Sequence, residues 1–482
     1  MERRARSRGD GSAPPRAATV VALAATTSLA LLGDLMLYTA LPVHYEAAGI
    51  PVAALGVILS VHRFIRLAAN PLGGLVYDRL GRRRPFLAGL GLASLATLGY
   101  LLAGSFWPLL AARLVWGLAF SLISVGTLAI LLDVTTPADR GRTVGGYHAL
   151  ANVGRVLVFV SSGWLVDALG YRRTLAVFVP LTALGGVIAW GALRETRPAA
   201  GVAERAPFLA GFRALDRRLA VPAAVGFATF FTGNGILMAT LGLHLRLETA
   251  AAGTLAPLAA LTGALLAARQ AVATVAAPVA GRLADRLGDR AAVAAAGAAI
   301  GVAGFAALAA GRGLGAVVAG VLLVALGESV LLPALTAWAG DLTPPALRGA
   351  AMGGLAAAND LGGATGPLVG IALAGSAGLR AAYGLAALVA LAALALAWLG
   401  RAAGGAPAGG RGGGPAGEAR PPPSPPRRGG AGGGRAGGPR GEWGRGPGGG
   451  PGGSSRFVLK SGPRFVNPVI FPPGCARLAT NP

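Results

Sequence analysis

Two stretches of this chain occur twice. Pro71, Gly74, Asp78, Arg79, Gly81 and Arg83 recur as Pro278, Gly281, Asp285, Arg286, Gly288 and Arg290 (281 − 74 = 207). Asp133, Thr135, Pro137, Arg140, Gly141, Gly145 and Gly146 recur as Asp341, Thr343, Pro345, Arg348, Gly349, Gly353 and Gly354 (348 − 140 = 208). One extra residue between the two stretches of the second copy accounts for the change of offset. Two homologous halves therefore lie head to tail, and each must build the same unit.

That unit is too apolar to be a soluble domain. The chain is 54% hydrophobic and 13% charged, with a mean hydropathy of +0.61, whereas a soluble domain carries about 25% charged residues. Apolar stretches fill residues 18–42, 51–76, 84–104, 107–132, 143–166, 173–193, 219–243, 253–281, 290–311, 314–339, 350–375 and 379–400. Each is long enough to cross a hydrocarbon core of ~30 Å. The expectation is an all-α membrane protein, with twelve transmembrane helices in two pseudo-symmetric six-helix bundles. Parallel repeats of this kind are an architecture of membrane transporters.

The expected organisation is a cytoplasmic arm at 1–17, a first bundle at 18–193, a central cytoplasmic linker at 194–218, a second bundle at 219–400 and a Gly/Pro/Arg-rich tail at 401–482. The tail cannot bury a core and is expected to be disordered. It holds the only lysine, Lys460, and the only cysteine, Cys475, and its composition break is also what a shifted GC-rich reading frame would produce. Within the linker, FLAGFRALDRR could form an amphipathic interfacial helix.

Arginines crowd the N-terminal arm, the linker and the loops holding Arg79, Arg140, Arg286 and Arg348, although Arg172 and Arg173 run against the trend. By the positive-inside rule these segments, and both termini, face the cytoplasm of an inner membrane. The net charge of +24 is read as this bias plus a basic tail rather than as a nucleic-acid surface. No cleavable signal peptide is expected, because the first stretch is too long and contains Asp34. No cofactor or metal site is expected: the histidines His44, His62, His148 and His244 are dispersed, and one cysteine excludes a cysteine cluster. No nucleotide-binding loop occurs, which disfavours an ATP-driven pump. A membrane enzyme or receptor is disfavoured as well.

GGLVYDRLGRRR at 73–84 resembles the signature loop of the major facilitator superfamily, G-x-x-x-D-R/K-x-G-R-R/K, with Gly74, Asp78, Arg79, Gly81, Arg82 and Arg83 at its positions. GRLADRLGDR at 281–290 is a weaker second copy, with Asp289 in place of Arg82. The resemblance covers residues 18–400. It implies a secondary transporter working by alternating access in the lipid bilayer, as a monomer, on a small molecule. It also implies that these loops latch the two halves together and release on opening. Asp133, Arg140, Asp341 and Arg348 are expected to pair with them, and Gly74 and Gly81 to permit close helix approach.

Ionisable residues inside a span are functional candidates by default. Asp34 stands about sixteen residues into the first stretch, roughly 24 Å along a helix. It resembles the lone first-helix acid of proton-coupled multidrug members; an ion-paired structural acid is the alternative. Arg113 with Gly117 resembles the fourth-helix motif linked to proton transfer, with Trp116 where the family often has Gln. Glu328 and Asp360 are further proton or substrate candidates. Arg63, Arg66 and Arg269, the last standing 207 residues after His62, would suit an anionic substrate; pairing with Asp34, Glu328 or Asp360 is the alternative. Arg155, Phe231 and Asn234 are cavity candidates. The fifth-helix drug-antiporter pattern is absent where it should fall, at Val158, Phe159 and Ser162, and only Gly163 matches; Gly366, Pro367 and Gly370 stand at the equivalent places of the second half. Two functions compete: proton-coupled efflux of amphipathic compounds, and uptake or exchange of a small organic anion through Arg63, Arg66 and Arg269.

Overall fold

The computed structural model describes residues 16–136, 138–196, 217–253 and 257–404. The arm, most of the linker with its expected amphipathic helix, and the tail lie outside the described residues. Twelve helical segments follow in order: α1 Arg16–His44, α2 Leu55–Leu80, α3 Arg83–Leu102, α4 Phe106–Asp133, α5 Arg140–Leu169, α6 Tyr171–Ala192, α7 Arg217–Ala251, α8 Leu258–Leu287, α9 Arg290–Ala310, α10 Gly313–Asp341, α11 Arg348–Ala377 and α12 Leu379–Gly404. Eleven of these segments are long and apolar enough to span a bilayer. The remaining one, α11, is 30 residues long but diluted by glycine, alanine and Asp360. The last helix runs four residues past the expected boundary at 400 (404 − 400 = 4), because Arg401 still pairs within the bundle.

The duplication is legible in the backbone. Gly170, the single residue between α5 and α6, has φ +86°, and Gly378, between α11 and α12, has φ +87° (378 − 170 = 208). A one-residue reversal between long helices needs a left-handed conformation, which glycine adopts without penalty. Proline interrupts α2 at Pro71 and α8 at Pro278, again 207 apart. α1 is broken by a turn at Leu31, while α7 unwinds into π-helix over Phe230–Leu237 before resuming at Met238 (238 − 31 = 207).

Small residues bring the helices together, as expected where lipid removes any hydrophobic drive between spans. Gly297 and Gly304 of α9 lie against Gly327 and Gly320 of α10. The two halves meet at the face opposite the repeated loops. There Gly56 of α2 abuts Pro367 and Leu368 of α11, Gly163 of α5 abuts Ala259 of α8, and Gly242 of α7 abuts Pro42 and Val43 of α1. Asp167 seals this end, accepting from the amides of Ala259 at 3.3 Å and Ala260 at 2.6 Å at the start of α8. The face carrying the repeated loops is called here the basic face, and the other the far face.

Candidate functional site

A cavity of about 590 Å³ lies between the halves. It is lined by α1, α2, α4 and α5 from the first half and by α7, α8 and α10 from the second. On α8 the lining descends from Arg269 to Ala277, and on α10 from Glu328 to Thr336, toward the basic face. The halves pack closely at the far face, and the cavity between them extends toward the basic face.

Aromatic and aliphatic groups make most of the wall, including Tyr38, Trp116, Phe120, Phe159 and Phe230. Three ionic sets punctuate it. In the first, Arg113, fully buried, donates from Nη1 to Asp34 Oδ1 at 2.5 Å, from Nε to the Ile58 carbonyl at 2.9 Å and from Nη2 to His62 Nδ1 at 2.7 Å. Gly117, one turn on, lets α4 lie on the α2 backbone at His62 and Ile65. In the second, Arg66 Nη2 reaches Asp360 Oδ1 at 3.0 Å while Arg63 Nη1 stands 3.9 Å from the same oxygen. The Arg66 guanidinium also lies over the Phe120 ring, 4.2 Å from its centroid. In the third, Arg269 Nη2 donates to Glu328 Oε2 at 2.6 Å. Arg155 stands apart: it donates to Asn152 Oδ1 at 2.5 Å, and among the described residues no carboxylate forms an ion pair with it.

Seven of the ten sequence candidates line the cavity, and three do not. Asp34, Arg63, Arg66, Arg155, Arg269, Asn234 and Glu328 line the cavity; Arg113 and Asp360 back it as ion-pair partners. Phe231 does not line it. It is buried, stacks on Phe227 at 5.9 Å and packs against α11, and Phe230 takes the cavity position instead. Phe230 and Asn234, four residues apart, share the cavity face, while Phe227 and Phe231, also four apart, share the face toward α11. His62 and Tyr38 were not singled out by sequence. Their signal was available: both are polar, and both lie on spans already carrying an ionisable candidate.

At the basic face Arg82 joins Asp133 at 2.8 Å and Asp78 at 3.7 Å. Glu195, just past α6, accepts from the amides of Arg82 at 2.7 Å and Arg83 at 3.2 Å and so caps the start of α3. Gly81, at φ +82°, is needed there, since a side chain would meet that carboxylate at 2.6 Å. Thr196 adds a bond to Asp133 at 3.2 Å. Sequence reading had passed Glu195 over as linker. In the second half Arg290 takes the role of Arg82, meeting Asp341 at 2.7 Å and Asp285 at 3.5 Å. Asp289 is free for other work: it caps α9 through Ala292 at 2.9 Å and holds Arg401 at 2.6 Å. Each of these pairs joins elements of one half.

Two expectations for these loops need correction. Gly74 and its counterpart Gly281 face open space; the close approach on α2 is made by Gly73, which lies against Val125 of α4 at 3.7 Å. Arg140 and Arg348 open α5 and α11 with exposed side chains, and among the described residues neither meets a carboxylate. Arg16 pairs with Asp139 in place of Arg140. Arg79 keeps its place in the first loop and Arg286 is exposed in the second.

Two six-helix bundles related by a repeat, enclosing a polar-studded cavity, are an architecture of membrane transporters. The chain belongs to the Major Facilitator Superfamily, whose family model matches residues 23–269 and 250–444. Curated relatives match only locally. The chain is 34% identical over 117 residues to the drug efflux pump JefA of Mycobacterium tuberculosis, covering 24% of this chain and 22% of the pump. It is 24% identical over 129 residues to the quinolone resistance protein NorA of Staphylococcus aureus, covering 27% of this chain and 33% of that protein. The aligned stretch thus spans about a fifth to a third of these relatives' length. Among solved structures, a bacterial homolog of the human lysosomal transporter Spinster, inward-facing and occupied, superposes with a TM-score of 0.68 at 18% identity, over 81% of this chain and 97% of that one. The human organic anion transporter MFSD10 superposes with a TM-score of 0.58 at 23% identity, over 80% of this chain and all of that one.

Proposed function

We propose that this member of the superfamily carries amphipathic small molecules bearing a negative charge, by alternating access of the central cavity. One observation supports the reading above the rest. Arg63, Arg66, Arg113, Arg155 and Arg269 supply five guanidiniums in and behind the cavity, against three carboxylates, Asp34, Glu328 and Asp360. Arg113 and Arg269 consume one carboxylate each, Arg63 and Arg66 share the third, and Arg155 has none. The site therefore holds an excess of two positive charges (5 − 3 = 2) in a largely apolar wall. Guanidiniums bind carboxylate, sulfonate or phosphate groups in a fork geometry, and the aromatic wall suits an apolar body.

A second reading is proton-coupled efflux of neutral or cationic compounds. Asp34 reaches the cavity surface, and the local likeness to drug efflux pumps supports export. In this reading Asp34 takes up the proton, with Arg113 and His62 adjusting around it.

Inverted membrane vesicles with a pH dye separate the two. Lipophilic cations, neutral drugs and aromatic sulfonates are added in turn. A response to sulfonates that survives Asp34→Asn and is lost in Arg155→Gln upholds the anion reading. Proton release on adding a cation or neutral drug, lost in Asp34→Asn, replaces it with the second.

A further inference from the structure

The two arginines of α2 are one turn apart, yet they are not held alike. Arg66 is fixed at both ends of its guanidinium, by Asp360 at 3.0 Å and by the Phe120 ring at 4.2 Å. Arg63 stands 3.9 Å from the same oxygen, beyond hydrogen-bond reach, with its guanidinium against Gly363 of α11; Nε is without a hydrogen-bond partner in both arginines, so the difference between them lies at the outer nitrogens. Both side chains line the cavity and are mostly buried, at 11% exposure for Arg63 and 17% for Arg66.

Their shared partner lies in the other half of the molecule. Among the described residues, the Asp34–Arg113 pair joins α1 to α4 and the Arg269–Glu328 pair joins α8 to α10, each inside one half. Arg66–Asp360 joins α2 to α11 across the halves, below the place where Gly56 abuts Pro367 and Leu368 at the far face. Separating the far ends of α2 and α11 is what opening that face requires, and the pair lies on the same two helices. Asp360 is 7% exposed, so the tie is made out of water and is costly to break unless something replaces it.

We propose that Arg66–Asp360 is a clasp that holds the far face shut in the empty carrier, and that Arg63 is the residue that captures a substrate's anionic group and brings it to Arg66 in place of Asp360. Asp360 is then a tethered stand-in for the substrate. The substrate's anion replaces the lost pairing of Arg66, which lowers the cost of parting α2 from α11. The halves separate at the far face only when the site is filled. This rests on the anionic-substrate reading in its second part only; the clasp itself requires no ligand.

The test uses full-length protein in nanodiscs, with Cys475→Ser and spin labels at Val52→Cys on the lead into α2 and Leu247→Cys on α7, both exposed at the far face. Pulsed electron resonance reads their separation, with and without an anilinonaphthalene sulfonate. In the empty carrier Asp360→Asn raises the long-distance population by about twofold or more, because the tie that biases the equilibrium is gone. Arg66→Gln/Asp360→Asn, which removes both buried charges, gives the same shift and guards against misfolding of the single variant. Arg63→Gln leaves the empty distribution as in the parent and abolishes the sulfonate-induced shift. An unchanged empty distribution in both Asp360 variants overturns the clasp. A sulfonate-induced shift that survives Arg63→Gln overturns the capture role. A parent blind to sulfonate whose empty distribution still moves in Asp360→Asn upholds the clasp and sinks the anionic-substrate reading instead.

Discussion

Arg113 donates through Nη2 to Nδ1 of His62 at 2.7 Å, with both side chains buried. A guanidinium has only donors, so Nδ1 must accept, and the imidazole carries its proton on Nε2, toward the Tyr38 hydroxyl 3.5 Å away. Protonating His62 at Nδ1 and keeping its Arg113 bond are mutually exclusive. Because the same guanidinium holds Asp34 and the Ile58 carbonyl, one cation ties α1, α2 and α4 together.

Arg113→Leu should therefore be costly. It strands the Asp34 carboxylate in a buried site, where loss of one partner of an ion pair costs ~3–5 kcal/mol. The expected outcome is a lower unfolding temperature in detergent, partly recovered in Asp34→Asn/Arg113→Leu. Unfolding of the single variant at the parent's temperature would show that the pair does not hold α1 to α4.

Among the described residues no carboxylate pairs with Arg155, and Asn152 is the side chain that hydrogen-bonds it. A charge-assisted bond to a substrate anion contributes about 1.5–3 kcal/mol, so Arg155→Gln should raise KM for an anionic substrate by roughly tenfold or more. The KM for a neutral compound carried by the same protein should stay near the parent's. Equal losses on both would assign Arg155 a structural role.

Gly233 lies in the π-helical part of α7, against Glu328 Oε1. A methyl group there occupies the space of that oxygen and must push the carboxylate off Arg269, which it now meets at 2.6 Å. Gly233→Ala is expected to cut transport well below the parent while leaving the helical circular-dichroism signal intact. Retention of full transport rates would mean that Glu328 and Arg269 can part without consequence.

Glu195 caps α3 by accepting two amides that have no partner in the helix. Glu195→Ala should destabilise that helix start by about 1 kcal/mol. Hydrogen exchange at the amides of Arg82 and Arg83 should speed up accordingly, with exchange in the middle of α3 unchanged.

Asp139, outside the spans, accepts from the Thr136 hydroxyl at 2.8 Å and amide at 2.7 Å and pairs with Arg16. These contacts, the Thr136 hydroxyl bond first, hold its carboxyl below the ordinary aspartate value of 3.8. A carboxyl depressed in the folded state contributes order that is complete above the ordinary value and is lost as pH falls through the depressed one. The Thr136 amide should therefore stay protected from exchange at neutral pH and lose protection only below about pH 4. Asp139→Asn should weaken that protection at neutral pH and remove its dependence on pH in the acid range.

Much of the architecture could be read from residues alone, because duplication leaves paired marks. Pro71 and Pro278 and Gly81 and Gly288 fall 207 apart, Gly170 and Gly378 fall 208 apart, and the last pair recurs in nearly the same backbone, at φ +86° and +87°. That Asp34, Arg66, Arg269 and Glu328 converge was also legible, since a charge inside a span must face a cavity or a partner. Which partner was not. Choosing Asp360 for Arg66 and Arg113 for Asp34 depends on the rotation of each helix about its axis, and hydropathy in all-apolar spans carries little information on rotation. The misplacement of Phe231 has the same origin, since its neighbour Phe230 is as apolar and hydropathy does not say which of the two faces the cavity. Gly74 was misjudged because a glycine in a motif need not be a contact glycine; its neighbour Gly73 is.

The breaks in α1 at Leu31 and in α7 before Met238 fall at the same depth of the two halves. The outer segments of α1 and α7 pack on each other through Pro42, Val43 and Gly242, across the two halves. Each half thus places the irregular turn of its cavity-lining first helix beside the cavity, at Leu31 and at Phe230–Leu237, so the duplicated fold puts its helical irregularity where the cavity is.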